Sequence, residues 1–303
     1  MATIGHGGIN HRAATGFSKS SAYDQHRPAY SETAVTELLN QTRVAGKKNA
    51  QILDLAAGTG KFTVSLAARE EQYEITAVEP HDGMREVLAA KNLKNVAVRA
   101  GTAEKLPLDD ESVDVVIAAQ AFHWFATMPA LKEIYRVLKP HGSLGMIWNI
   151  EDYNAPRGHK ATTSWEAKVQ DLTWTFNDNE PRFRHEKWRE VFDDQIKSTP
   201  MALITASDPL FSLPLGQHVE PFEVWLPKDK IWERYNTISH ISVTDGEKRE
   251  QTYKTFMDAL NGPEVEENEK KEVAVHGNTY IVWTTKVPSK GRSSLGGVER
   301  IDA

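Results

Sequence analysis

From about residue 30 to residue 150, short unbroken apolar runs alternate with longer stretches in which apolar residues recur at helical spacing. The runs Ile52–Leu55, Ile75–Glu79, Val96–Arg99, Val113–Ala119 and Ser143–Ile150 read as strands. They lack polar alternation, which is the pattern of parallel strands covered on both faces. Between them lie predicted helices. Ser31 is an N-cap for one that runs to Gln41, with Val35, Leu38 and Leu39 on one face. Lys61–Arg69 and Pro80–Ala90 follow, the latter turning Met84, Val87 and Leu88 inward. Pro129–Leu138 carries Leu131, Ile134 and Tyr135 and is stopped by Pro140 and Gly142. Alternating strands and helices predict an open α/β sheet with ligands at the carboxyl ends of its strands.

The alternation breaks at Glu151. Residues 151–205 read as an aromatic-rich cover, with Trp165, Val169, Leu172 and Phe176 on one helical face and Trp174 on the other. That opposite face makes Trp174 a candidate substrate contact. Strands resume at Val219–Trp225 and Thr279–Val287, separated by helices over Lys230–His240 and Glu247–Leu260 and by an acidic loop, Gly262–Lys271. The predicted layout is an arm at 1–20, a ligand-binding core at 21–150, a cover at 151–205, completion of the sheet at 206–288 and a flexible tail at 289–303.

The first strand leads into the candidate chemistry. It reads Gln51-Ile-Leu-Asp54-Leu-Ala56-Ala-Gly58-Thr-Gly60, a strand that opens into a glycine turn and then a helix. Glycines here permit positive φ and close approach of backbone to a ligand, and a side chain on Gly60 would occupy space that a nucleoside needs. About 20 residues on, Glu79 closes the next strand at the spacing where a carboxylate takes two ribose hydroxyls. The third glycine of a dinucleotide fingerprint is missing, and Phe62 follows Lys61 where a P-loop needs Ser or Thr. A nucleoside without phosphates fits better than NAD or ATP.

With Asp54, Ala56, Gly58 and Gly60 in place, the segment resembles the signature of the class I S-adenosylmethionine-dependent methyltransferases. The resemblance covers about residues 20 to 150 and implies a Rossmann-like seven-stranded sheet with helices on both faces. It implies Glu79 as the ribose acid, and Met84 as a residue packed on adenine, a position the composition alone would also explain as core filler. It implies Thr102, Ala103 and Glu104 as the loop that reads the adenine edge, and Gln120 as the polar residue closing the fourth strand. Tyr23 and Arg27, in Tyr23-Asp-Gln-His-Arg27-Pro28, resemble the segment that folds over the methionine end of the donor. Ala121-Phe-His123-Trp124-Phe and Glu133-Ile-Tyr-Arg-Val-Leu-Lys-Pro140 resemble the type 11 subgroup, which includes trans-aconitate methyltransferase and fungal thiol methyltransferases acting on gliotoxin-like metabolites.

Composition narrows the class. A net charge of −6 gives no basic face for a phosphate backbone, so no nucleic-acid partner is expected. The absence of cysteine excludes disulfides and thiolate zinc sites. No signal peptide and no run of about 18 apolar residues appears, so a cytoplasmic monomer that does not touch a membrane is expected. No carboxylate cluster with metal-ligand spacing stands near the strand ends, so no metal is expected.

The resemblance makes the reaction a methyl transfer from a sulfonium, which needs a nucleophile held in line and water kept out. Aromatic faces at Tyr23, Trp124 and Phe125 suit the cation. His123 is either a general base, since imidazole titrates near neutrality, or an orienter of its loop through a hydrogen bond. Trp124, Trp148, Asn149, Tyr153 and Trp174 are the candidate acceptor contacts. An aromatic-rich cover on an acidic chain points to a small, apolar or aromatic metabolite held by burial, and a thiol is the favoured nucleophile because a thiolate needs no positioned base. O-methylation of a carboxylate or hydroxyl, and a non-catalytic adaptor on the same fold, are the alternatives. A nicotinamide oxidoreductase would share the loop and Glu79, and the missing third glycine counts against it.

Overall fold

The computed structural model describes residues 29–176, 180–195 and 209–288. Helix α1 (Glu32–Gln41) is capped by Ser31, whose side chain accepts from the Ala34 N–H, and it buries Ala34, Val35, Leu38 and Leu39. Strand β1 (Gln51–Leu55) leads into α2 (Lys61–Ala67), then β2 (Glu74–Val78), α3 (Asp82–Ala90), β3 (Val96–Arg99) and β4 (Val113–Ala119). Next come α4 (Met128–Val137), β5 (Leu138–Glu151), α5 (Ser164–Trp174) and the short α6 (Glu190–Asp193). The chain closes with β6 (Gly216–Pro227), α7 (Lys228–Tyr235), α8 (Ser239–Ser242), α9 (Gly246–Leu260) and β7 (Glu272–Thr285).

These strands form one seven-stranded sheet in the order β3-β2-β1-β4-β5-β7-β6. The first five are parallel, and β7 joins β5 and β6 antiparallel. The strand order reverses between β1 and β4, the topological switch point at which open α/β sheets bind ligands. Register aligns the strand ends there: Leu55 pairs with Val78, and Asp54 with Ile117. Side chains alternate across the sheet, so Leu53, Val116 and Leu144 belong to the core on one face while Ile52, Val115, Ile117 and Ile147 belong to that on the other. Each fully buried aliphatic side chain contributes about 1.5–3 kcal/mol. Helix α1 lies directly on β5, where a Cβ at Gly145 would come within 2.9 Å of Leu38 Cδ1.

A third core, built from Tyr153, Trp165, Val169, Ile231, Tyr235, Phe256 and Val275, joins α5, α7 and α9 to β7. Buried polar contacts tie this layer to the sheet. Glu151 at the end of β5 accepts from Arg234 Nε at 2.7 Å, and Glu166 on α5 accepts from the His276 N–H of β7 at 2.7 Å.

Several element boundaries differ from the sequence pattern: β6 is longer at both ends, and the helix read over Lys230–His240 is two helices, α7 and α8. Helix α4 ends at Val137, and β5 begins at Leu138, running through Pro140 because Leu138 pairs with Val113 before an irregularity in the ladder. Strand β7 begins at Glu272, earlier than its apolar run suggests. The added residues include Gly277, where a Cβ would lie 2.5 Å from the Ile150 carbonyl oxygen and 2.5 Å from Phe222 Cζ. The glycine is there for packing.

Candidate active site

The loop after β1 is shaped by left-handed backbone. Ala56, Gly58 and Gly60 have φ of 56°, 59° and 85°, and Gly60 N donates to the Ala57 carbonyl at 2.9 Å. The turn brings the first N–H groups of α2 round to the switch point. Glu79, directly after β2, braces it: Oε2 accepts from Gly58 N at 2.8 Å, and Oε1 accepts from His81 N at 2.9 Å. Each carboxylate oxygen keeps a second lone pair for a ligand hydroxyl. Glu79 is 5% exposed, and desolvation raises its pKa against these two bonds. Asp54 is wholly buried beneath the loop, and desolvation pushes it up to about 7, opposed by the Thr63 hydroxyl that donates to Oδ2 at 2.6 Å. Its Oδ1 is buried with no hydrogen-bond partner.

Met84 on α3 lies over the loop, its sulfur 3.8 Å from where a Cβ on Gly58 would stand. A Cβ on Gly60 would come 2.2 Å from Leu88 Cδ1, so this glycine makes room for α3. Beyond β3, Thr102 and Lys105 exchange backbone hydrogen bonds in a tight turn, and Ala103 is buried within it. Glu104 Oε1 accepts from the Thr127 hydroxyl at 3.1 Å. A cleft runs along this turn from Ala100 to Pro107.

At the end of β4, Gln120 also adopts positive φ, at 57°. Its Nε2 donates to the Asn149 carbonyl at 2.6 Å, which ties β4 to β5 and opens a second cavity beside the switch point. Gln120, His123, Trp124 and Ile150 form its sheet side, and Asn154, Arg182, Phe183 and Arg184 its cover side. Ile238 and Ser239, the cap and first residue of α8, complete the wall. His123 sits on a short turn of helix over Phe122–Trp124. Trp148 Nε1 donates to His123 Nδ1 at 3.1 Å, which places the proton of a neutral imidazole on Nε2.

The left-handed loop and Glu79 thus stand at the ends of β1 and β2, with a separate polar cavity at the ends of β4 and β5. Residues 53–146 match a methyltransferase domain. An uncharacterized methyltransferase-like protein of Schizosaccharomyces pombe is 42% identical over 170 residues, 56% of this chain and 62% of that protein. An uncharacterized methyltransferase of Mycobacterium bovis is 44% identical over 135 residues, 45% of this chain and 52% of that protein. The chain thus spans between about half and three-fifths of the length of these relatives. A solved structure of a putative type II methyltransferase from Anaeromyxobacter dehalogenans superposes with a TM-score of 0.56 at 21% identity, covering 86% of this chain and 99% of that one. The seven-stranded sheet is the Rossmann-like class I methyltransferase fold.

Asp54, Ala56, Gly58, Gly60, Glu79 and Met84 are brought together by the loop after β1, the end of β2 and the start of α3, and Thr102 and Glu104 line the cleft after β3. The fit to a nucleoside donor rests on the left-handed glycine loop and on Glu79 at its lip. Tyr23 and Arg27 lie outside the described residues.

The acceptor residues divide. Trp124 and His123 line the second cavity. Trp148 and Tyr153 do not: both are 0% exposed and fill cores, Trp148 against Phe183 and Trp188, Tyr153 against Trp165 and Tyr235. Asn149 is 2% exposed and occupied, its Nδ2 donating to the Ala29 carbonyl and its Oδ1 accepting from the Thr279 hydroxyl. Trp174 is half-buried as its helical face implied, but it lies outside the cavity wall, with Nε1 donating to the Ala155 carbonyl and Arg157 and Arg184 over its ring. The cavity is also less apolar than an aromatic cover suggests, because Arg182 and Arg184 enter its wall. These two were missed. The available signal was a pair of arginines around Phe183, in a segment otherwise read for its aromatics.

Proposed function

We propose that this chain is an S-adenosylmethionine-dependent methyltransferase acting on a small molecule. The observation that carries the reading is Glu79, buried at the end of β2 with its carboxylate bonded to Gly58 N of the left-handed loop. That arrangement suits a ribose whose two hydroxyls add to the same carboxylate, with Met84 and the 102–104 turn beside the base. When bound, the donor supplies a methyl group already activated on a sulfonium. The protein's part is to bind, align and dehydrate.

His123 is better suited to orient than to accept a proton. The Trp148 indole holds Nδ1, and Nε2 in the neutral ring carries a proton, so neither nitrogen is a ready base. An acceptor that ionises unaided fits this site, and both a thiol and a carboxylic acid meet the requirement. Support for a small-molecule acceptor comes from the small, partly open polar cavity beside Gln120. Among partial matches, a malonyl-[acyl-carrier protein] O-methyltransferase of Methylococcus capsulatus is 38% identical over 110 residues, 40% of its length.

Calorimetry with S-adenosylhomocysteine tests the reading. Binding to the native chain is expected, with affinity lowered by about 1–3 kcal/mol in Glu79→Ala. A 2′-deoxyribose analogue should lose less on this substitution than the parent ligand. Equal loss would mean that Glu79 only braces the loop, and absence of binding to the native chain would remove the proposal.

A further inference from the structure

The face of the sheet beneath α1 is apolar until the carboxyl end of β5, where it turns polar. In the ladder between β5 and β7, Ile147 pairs with Ile281, and both belong to the core on that face. One repeat further on, Asn149 pairs with Thr279, and Thr279 pairs in turn with Glu220 of β6. Directly opposed residues share a face, so these three form a polar row across β5, β7 and β6. Asn149 and Thr279 are 2% and 3% exposed. A second isoleucine pair would fill that space without the desolvation that buried polar groups suffer, so the row has another use.

What the row holds is the stretch of chain that enters α1. Asn149 Nδ2 donates to the Ala29 carbonyl at 3.1 Å, and its Oδ1 accepts from the Thr279 hydroxyl at 2.7 Å. A carbonyl only accepts, so Ala29 fixes which end of the carboxamide faces it, and Thr279 satisfies the other. At the outer end of the row, Glu220 Oε1 accepts from the Ser31 hydroxyl at 3.1 Å and from the Thr33 hydroxyl at 2.6 Å. The Tyr30 ring meets Phe62, the second residue of α2, edge to face at 5.1 Å. Residues 29 and 30 therefore reach from the end of β5 to the start of α2, beside the left-handed loop. The backbone carbonyl of Asn149 accepts from Gln120 Nε2 at 2.6 Å, so one residue joins this segment to the wall of the cavity.

Building on the methyl-donor reading above, we infer that Asn149 is a positioning residue for donor binding, which with Thr279 and Glu220 seats Ala29 and Tyr30 as a side wall of the glycine loop. Both ends of its side chain are occupied, so it acts through the segment it holds. Thr279 orients the carboxamide, the carboxamide holds Ala29, and Ala29 sets where Tyr30 lies against Phe62. A substitution in the row reaches the donor through residues 29–33, with the loop, Glu79 and the sheet left in place.

The test uses the full chain, with S-adenosylhomocysteine as the probe. Asn149→Asp replaces the donor to Ala29 by a second acceptor of the same size, and Thr279→Val removes the hydroxyl that orients the amide. Each is expected to weaken affinity in calorimetry by about 5–30-fold, and to speed amide hydrogen exchange in a peptide covering residues 30–41 of the ligand-free chain. Thr279→Ser keeps the hydroxyl and should hold affinity within about threefold of the native chain. Thr284→Val is the control, because it also removes a buried β7 hydroxyl, one that donates to the Ser212 carbonyl at 2.6 Å nearer the end of the strand. It should lower the unfolding midpoint and leave affinity unchanged. Unchanged affinity in a folded Thr279→Val chain, or an equal loss in Thr284→Val, would reduce the row to a structural role and overturn the inference with the donor site left standing. Unchanged exchange over residues 30–41 would overturn the seat even if affinity fell. Failure of the native chain to bind S-adenosylhomocysteine would overturn the donor reading itself.

Discussion

The two halves of the site are built from different materials. The proposed donor site is made from backbone: left-handed turns at Ala56, Gly58 and Gly60, the N-terminus of α2, and one carboxylate that braces them. The proposed acceptor cavity is made from side chains contributed by the ends of β4 and β5, by Asn154 and residues 182–184, and by the start of α8. Backbone geometry of the first kind depends on a few residues close in sequence. Side-chain geometry of the second kind depends on how distant segments pack, so it can change its ligand without disturbing the sheet.

The sharpest way to break this comparison is Gly60→Val. A Cβ 2.2 Å from Leu88 Cδ1, on a residue at φ of 85°, combines overpacking with a backbone conformation that valine avoids. A loss of about 3–5 kcal/mol is expected in denaturant unfolding. Near-native stability with donor binding abolished would instead restore the view that Gly60 makes space for the nucleoside.

Next in size is the pH dependence of Asp54. Its carboxyl is raised from 3.8 to about 7, chiefly by burial, so the folded chain favours the protonated acid. The sign follows: the contribution to stability is full below about pH 4 and is lost as pH rises towards 7. Asp54→Asn should match the native chain near pH 4 and exceed it at pH 7, by on the order of a few kcal/mol. Unfolding midpoints at the two pH values decide it, and an unchanged pH slope would contradict the assignment.

A smaller effect is expected at His123. His123→Asn should lower the rate by less than about 10-fold and leave the pH profile without a lost histidine limb, because the ring serves to place the loop against Trp148. A drop of about 10²–10⁴-fold with donor affinity intact would make it the base after all. Smallest of all, Trp174→Ala should change acceptor KM by less than about threefold, since the ring is outside the cavity wall. A large rise in KM would place the acceptor further out, along α5.

The same division explains what could be read from the chain. Ile52 to Gly60 declares strand, turn and helix within about ten residues, and the acid at Glu79 follows at a spacing set by one βαβ unit. Parallel strands β1, β2 and β4 are short, mostly apolar runs and were legible for that reason. Gly277 was not, because its role appears only when Phe222 and Ile150 arrive from elsewhere in the chain. Trp148 and Tyr153 looked like pocket residues because aromatics serve cores and ligands equally well, and only burial separates the two uses. Arg182, Arg184 and Ser239 stand far from β4 in sequence, so no local pattern could bring them to Gln120.

Photocrosslinking of methyl-labelled S-adenosylmethionine to the native chain, followed by peptide mapping, tests the central claim most directly. Label on peptides spanning 51–60, 79–84 or 101–107, competed away by S-adenosylhomocysteine, is the result this account predicts. Specific label confined to other segments, with those three clear, would contradict it.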